Sequence, residues 1–147
     1  VAEVVEKPAP GVHARREVIL VETGRGARGN HAHASFWKGK RIEGREVTAM
    51  SLEVLQALGA SPLVPGDNLI TEGVDLGALR PGDRLVIGAA VLERSAKTHR
   101  PCDLFARRIS PEARQAVAES SLRGALFVVV QSGEIRRHDR IQILPTT

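Results

Sequence analysis

Apolar positions along this chain fall in short runs, alternating or β-branched, separated by turns rich in glycine and proline, a rhythm that predicts strands. The first run is Val1–Glu6, followed by a turn that two prolines and Gly11 punctuate. Arg16–Glu22 places Val18, Leu20 and Glu22 on one face and Ile19 and Val21 on the other, so this strand is apolar on both sides. Glu46–Met50 is a shorter strand. Arg84–Ile87 and Ala90–Ser95, broken by Gly88, form a hairpin. Gly124–Gln131 is the most apolar run, too short and too β-branched for a buried helix, and reads as a central strand. Ser132-Gly133-Glu134 turns it, and Arg140–Leu144 is the last strand.

Helical spacing interrupts this rhythm in three places. In Ser51–Leu58, Leu52, Leu55 and Leu58 share one side; Ser51 is placed to accept a capping backbone N–H bond, and Gly59 stops the helix. Ser110-Pro111-Glu112 opens a second helix that runs to about Ser120, with Ser as cap, Pro in the first position and Glu at the positive end. Asp103–Arg108 forms a short third. Two irregular stretches carry polar chemistry. Thr23–Ala34 is a loop gathering His31, His33, Arg25 and Arg28, and Lys97–Pro101 delivers the chain's one thiol, Cys102. Leu79–Ile87 and Ile135–Ile143 echo each other over nine positions, each a turn with Asp that feeds a strand. Such repeated corners suit a small β-barrel with two or three short helices, and the fold class is therefore mainly β.

Composition narrows the picture. The 147 residues fit a single domain, 1–147, and 42% hydrophobic with 26% charged content is that of a globular protein. With three Phe, one Trp and no Tyr, the core must come from Val, Leu, Ile and Ala. The same scarcity argues against a nucleic-acid partner, since stacking platforms are missing and no helix-turn-helix or RNP-like motif occurs. A net charge of +4 favours an anionic ligand. One cysteine excludes an internal disulfide and points to a reducing, cytoplasmic setting. No apolar run approaches the roughly 20 residues that span a membrane, and the N-terminus does not read as a signal peptide.

Cys102 is the only obvious nucleophile or soft-metal ligand. Lys97, His99 and Arg100 precede it and Arg107 and Arg108 follow; cations near a thiol raise its thiolate population. On the residues alone, a reactive thiol and a small buried hydrophobe are both open readings. His31 and His33 share a face of an extended segment, but no Cys-x-x-Cys or HExxH pattern accompanies them. Gly24–Gly29 lacks the Lys-Ser/Thr of a phosphate loop, and nothing marks a nucleophile elbow.

An ordered set of motifs carries a family resemblance. Gly29-Asn30-His31-Ala32, the strand-then-helix segment Glu46–Gly59, Gly66-Asp67-Asn68-Leu69 with Glu72-Gly73-Val74-Asp75-Leu76, and Leu79–Glu93 ending at Pro101-Cys102 resemble a MOSC domain, the module named from the C-terminal part of molybdenum cofactor sulfurases. Asp67 stands where that family often has Glu, and Asn30 where Asp is common. The resemblance implies a β-rich barrel that binds molybdenum cofactor, an anionic pterin ligand. It makes Cys102 the catalytic group and metal contact, or a persulfide carrier, with His31, Asn68, His99 and Arg100 as cofactor-binding neighbours. The implied partners are a cysteine desulfurase, a molybdoenzyme or electron-donor proteins. Two other functions compete: a cofactor-loaded reductase of N-hydroxylated compounds, and a non-catalytic basic binding module. Whether the chain is an enzyme is left open by its residues.

Overall fold

The structure is a computed structural model that describes residues 1–120 and 122–147. Strands β1 (Glu3–Ala9), β2 (Val12–Arg16), β3 (Val18–Glu22) and β4 (Gly26–Ala27) open the chain, followed by a small hairpin, β5 (Phe36–Trp37) and β6 (Lys40–Arg41). β7 (Val47–Ser51) leads straight into α1 (Leu52–Ala57), and β8 (Leu69–Thr71), β9 (Arg84–Ile87) and β10 (Ala90–Arg94) follow. Then come α2 (Asp103–Arg108), α3 (Pro111–Ser120), β11 (Ala125–Gln131), β12 (Gly133–Arg136) and β13 (Ile141–Leu144).

One eight-stranded sheet, ordered β13-β9-β10-β11-β7-β8-β1-β2, curls into a half-barrel, and a three-stranded sheet, β12-β3-β4, packs across its concave side. β7 and β8 are parallel and the other neighbours antiparallel. Ile19, Val21 and Ile135 from the small sheet meet Val4, Leu69, Leu85, Ile87, Leu92 and Phe127 from the large one in a single core. Each such fully buried side chain stabilises the fold by about 1.5–3 kcal/mol. β7 is apolar on both faces for a reason: Val47 and Ala49 enter this core, whereas Met50 faces a second cluster with Ile70, Leu55, Phe105 and Val117. The helices therefore cover the outer side of β7 and β8. Among the described residues no helix is long and apolar enough to cross a membrane.

The echoed turns are geometrically alike. Asp83 Oδ2 accepts the Arg80 N–H at 2.7 Å, and Asp139 Oδ2 accepts the Arg136 N–H at 2.8 Å. Gly82 and His138, at the same position of each turn, both have positive φ, 92° and 71°. The strands they launch, β9 and β13, pair with each other.

Local differences from the expected elements have physical causes. Ser51 sits at the N-cap of α1, but its hydroxyl donates to Glu53 Oε2 at 2.7 Å and makes no cap bond to the backbone. Ser110 does cap, accepting the Ala113 N–H at 3.0 Å. The expected turn at Ser132-Gly133-Glu134 is a sharp switch between sheets, because Gly133 and Glu134 already belong to β12. β2, with sequence Val-His-Ala-Arg-Arg, shows no apolar alternation because it is an edge strand with no buried residue.

Candidate functional site: a cationic cleft beside Cys102

Backbone pairing brings the polar loops to one end of the half-barrel. The Lys7 N–H on β1 donates to Asn30 Oδ1 at 2.9 Å, and the Lys7 carbonyl accepts the His31 N–H at 2.7 Å. The loop around His31 is thereby stitched to β1. Asn68 is the buried junction beneath it: its Nδ2 donates to Val5 O at 3.0 Å and Asn30 Oδ1 at 3.1 Å, and its N–H donates to Thr48 Oγ1 at 3.2 Å. The preceding Gly66 has φ +79°, and a Cβ there would lie 2.5 Å from His13 Nε2. Only glycine allows this approach.

Asp67 follows Gly66 and is fully buried. Its Oδ2 accepts from Arg123 Nη1 at 2.5 Å and its Oδ1 accepts from His99 Nε2 at 2.9 Å. The Arg123 guanidinium also lies over the Phe105 ring, 5.1 Å from its centre. Burial alone would raise the Asp67 carboxyl, but Arg123 and His99 outweigh it and hold it well below the carboxylate range. His99 is pushed down to about 4, first by burial and then by Arg123, against the opposing pull of Asp67. At neutral pH the trio is therefore an ionised Asp, a neutral His and an Arg. His99 sits three residues before Cys102, so this buried trio pins the strap that carries the thiol.

A cleft of about 260 Å³ opens over the trio, with exposed Cys102 on its wall at the start of α2. Lys7, Arg45, Arg108 and Arg123 line it against the single carboxylate of Asp67, and His13, His31 and His33 complete the polar wall. Burial, with Arg45, Arg123 and Arg108 adding to it against Asp67, lowers Lys7 to about 8. Arg45 is lowered mainly by burial, while Asp67 and Cys102 favour its charge. Among the described residues the buried Arg45 Nε has no partner. A buried guanidinium N–H without a partner, in a cleft with excess positive charge, attracts negative charge. No group of three or more His, Cys, Asp or Glu among the described residues could hold a metal ion, so Cys102 is a lone soft donor.

The structure separates the residues singled out from the sequence. His31 and Cys102 line the same cleft. Asn68 lies below it in a hydrogen-bonded junction, and His99 lies behind it on Asp67. Arg100 is exposed and faces a different cavity. Lys7, His13, Arg45 and Arg123 escaped sequence reasoning. They come from strands and loops far apart in the chain, and no spacing pattern links them to Cys102. Asp67 was visible within its Gly-Asp-Asn turn, though its partners were not.

A curled half-barrel holding one exposed thiol over an anion-attracting floor defines a class of small binding or catalytic domain. Residues 37–142 match the MOSC domain family, and this chain belongs to it. The match covers Arg45, Asp67, Cys102, Arg108 and Arg123, whereas Lys7, His13 and His31 precede it. Several crystal structures share the fold, YuaD and two YiiM proteins among them. YuaD from Bacillus subtilis superposes with a TM-score of 0.80 at 19% identity, over 99% of this chain and 94% of that one. YiiM from Geobacillus stearothermophilus gives 0.69 at 17%, over 98% and 74%, and YiiM from Escherichia coli 0.67 at 16%, over 100% and 71%. No curated protein matches the sequence. The MOSC family is associated with molybdenum cofactor binding.

Proposed function

We propose that this chain binds molybdenum cofactor in the Cys102 cleft, with the Cys102 sulfur contacting the metal. The observation that carries this reading is the exposed thiol in one cleft with Lys7 and Arg45, where the buried Arg45 Nε lacks a partner. The donor set suits such a group. A cofactor that brings its own sulfur ligands needs only one further soft ligand from the protein, and its phosphate needs cations. Lys7, Arg45 and Arg108 would hold the anion, Cys102 would supply the thiolate, and His31 would border the ligand on the far wall. When bound, the cofactor supplies two-electron redox chemistry. The chain's own contribution is to bind and orient it: Asp67, His99 and Arg123 fix the strap bearing Cys102. Electrons would come from donor proteins, which keeps reduction of N-hydroxylated compounds as the activity to assay.

The exposure of Cys102 also supports a role as sulfur carrier. Its thiolate would attack the outer sulfur of a desulfurase persulfide, forming a new S–S bond while the donor cysteine leaves as thiolate, with no net oxidation.

Expression in a host that makes the cofactor, followed by anaerobic purification, tests the proposal through molybdenum and pterin content. Wild type should carry both, Cys102→Ser should lose molybdenum, and Arg45→Ala should retain pterin at least about tenfold less tightly. Wild-type protein carrying neither group would sink the reading. Mass spectrometry of Cys102 after incubation with a desulfurase and cysteine separates the carrier role, which requires one added sulfur atom.

A further inference from the structure

The strap from Thr98 to Cys102 has a cavity on each side. Behind it, away from the thiol, lies a second cavity of about 400 Å³ lined by Thr98, His99, Arg100, Pro101, Arg123 and, from α3, Arg114, Val117 and Ala118. Arg123 borders both cavities, but His99 lines only this one and Asp67 only the cleft. The hydrogen bond to Asp67 fixes the His99 tautomer. An ionised carboxylate accepts from Nε2–H, which leaves Nδ1 of the neutral ring as a bare acceptor. That Nδ1 is buried and has no partner among the described residues. A buried acceptor without a hydrogen bond is destabilising, so such an atom calls for a donor. Its surroundings add three arginines, Arg100, Arg114 and Arg123, of which the first and last matter here. Arg100 is exposed with no partner among the described residues, and Arg123 commits only Nη1 to Asp67 and Met50. Val117, Ala118 and Pro101 give the remaining wall an apolar character.

We propose that this second cavity binds a small oxyanion that also carries a hydroxyl, as hydrogenphosphate and α-hydroxycarboxylates do. Arg100 and the free edge of Arg123 take the anion, and His99 Nδ1 accepts the hydroxyl proton. The requirement for both groups is what distinguishes a built site from general attraction to positive charge. Sulfate at neutral pH has the charge without the donor, and propionate matches lactate except for the hydroxyl. The site lies across the strap from Cys102 and shares Arg123 with that cleft.

The test is an NMR titration of the isotopically labelled chain at neutral pH and constant ionic strength, reading the His99 ring and the Arg123 side-chain Nε–H. Hydrogenphosphate, L-lactate, sulfate and propionate serve as four separate probes. Hydrogenphosphate or lactate, or both, should give saturable shifts, with sulfate and propionate at least about tenfold weaker, the factor one lost hydrogen bond supplies. Whichever of the first two binds more tightly identifies the source. Ala118→Trp, which fills the cavity from an exposed helix position, should abolish the shifts, and Arg100→Ala should weaken them several-fold. Equal responses to sulfate and hydrogenphosphate would reduce the effect to charge attraction and overturn the proposal. So would saturable shifts from none of the probes, or binding that both variants leave unchanged.

Discussion

Lys7 shows at a single residue what burying a cation in this cleft costs the fold. Its folded pKa of about 8 lies below the ordinary 10.5, so the folded state holds the charged form less well than the unfolded chain does. The penalty is fully present below pH 8 and disappears as pH rises through 10.5. Lys7→Met should therefore raise the melting temperature at neutral pH by a few degrees, while reducing the pterin that co-purifies. Thermal melts decide it: a lower melting temperature would mean that packing, not charge burial, governs the position. Gly124 poses the opposite case. Its φ is +116°, and a Cβ would lie 2.0 Å from the Ala49 carbonyl oxygen on the neighbouring strand. Gly124→Ala must force β11 away from β7, and urea denaturation should show a loss of about 2–4 kcal/mol.

At the scale of elements, two serines that look alike in sequence behave differently. Ser110 receives a backbone N–H bond, so Ser110→Ala should cost about 1 kcal/mol, whereas Ser51→Ala should cost only a few tenths, because its hydroxyl bonds Glu53 instead. Paired denaturation curves would reverse that ranking only if Glu53 holds the turn at Gly73, whose N–H it accepts at 2.6 Å, through the serine. The local pattern exposed strands whose faces are buried, such as β3, β9, β10 and β11. It missed β2, whose residues are solvated, and β8, whose three residues are too few to show a period. Both matter to the cleft: β2 contributes His13, and β8 follows directly from the Asp67 turn. α1 was legible through spacing and its Gly59 stop, α3 through its cap, and α2 only as a short helix with neither signal. The strap between β10 and α2 was legible only as irregular.

The buried trio gives the whole molecule its acid limb. His99 has a folded pKa of about 4 against an ordinary 6.5, and Asp67 is depressed below the carboxylate range. Both depressed values have the same sign: the unfolded chain binds protons that the folded chain refuses, so stability is full above the unfolded pKa and falls as pH drops. Stability should decline between pH 6.5 and 4 as unfolded His99 charges, and again at lower pH as unfolded Asp67 is neutralised. His99→Gln should flatten the first part of that decline in denaturation curves taken across the range. An unchanged slope would place the acid sensitivity elsewhere. Asp67→Asn leaves Arg123 buried without a counter-charge and should cost about 3–5 kcal/mol at neutral pH, or prevent folding.

The sequence by itself determined what is local. Alternation, β-branching and turn residues marked a mainly β chain with short helices, the repeated Asp turns marked two matching corners, and composition marked Cys102 as the one soft nucleophile. These features depend on neighbours within a few positions, so they can be read along the chain. Only the tertiary structure decided which distant groups meet. Lys7 from β1, Arg45 before β7, Asp67 before β8 and Arg123 before β11 converge because the order of strands in the sheet brings their ends to one rim. The same ordering turned Asn68 inward as a hydrogen-bonded junction and sent Arg100 to the opposite side of the strap from Cys102. Convergence of this kind depends on strand order and register, which carry no signature in the local pattern of residues. The Cys102 thiol could therefore be picked out from the sequence, but the cationic floor beneath it could not.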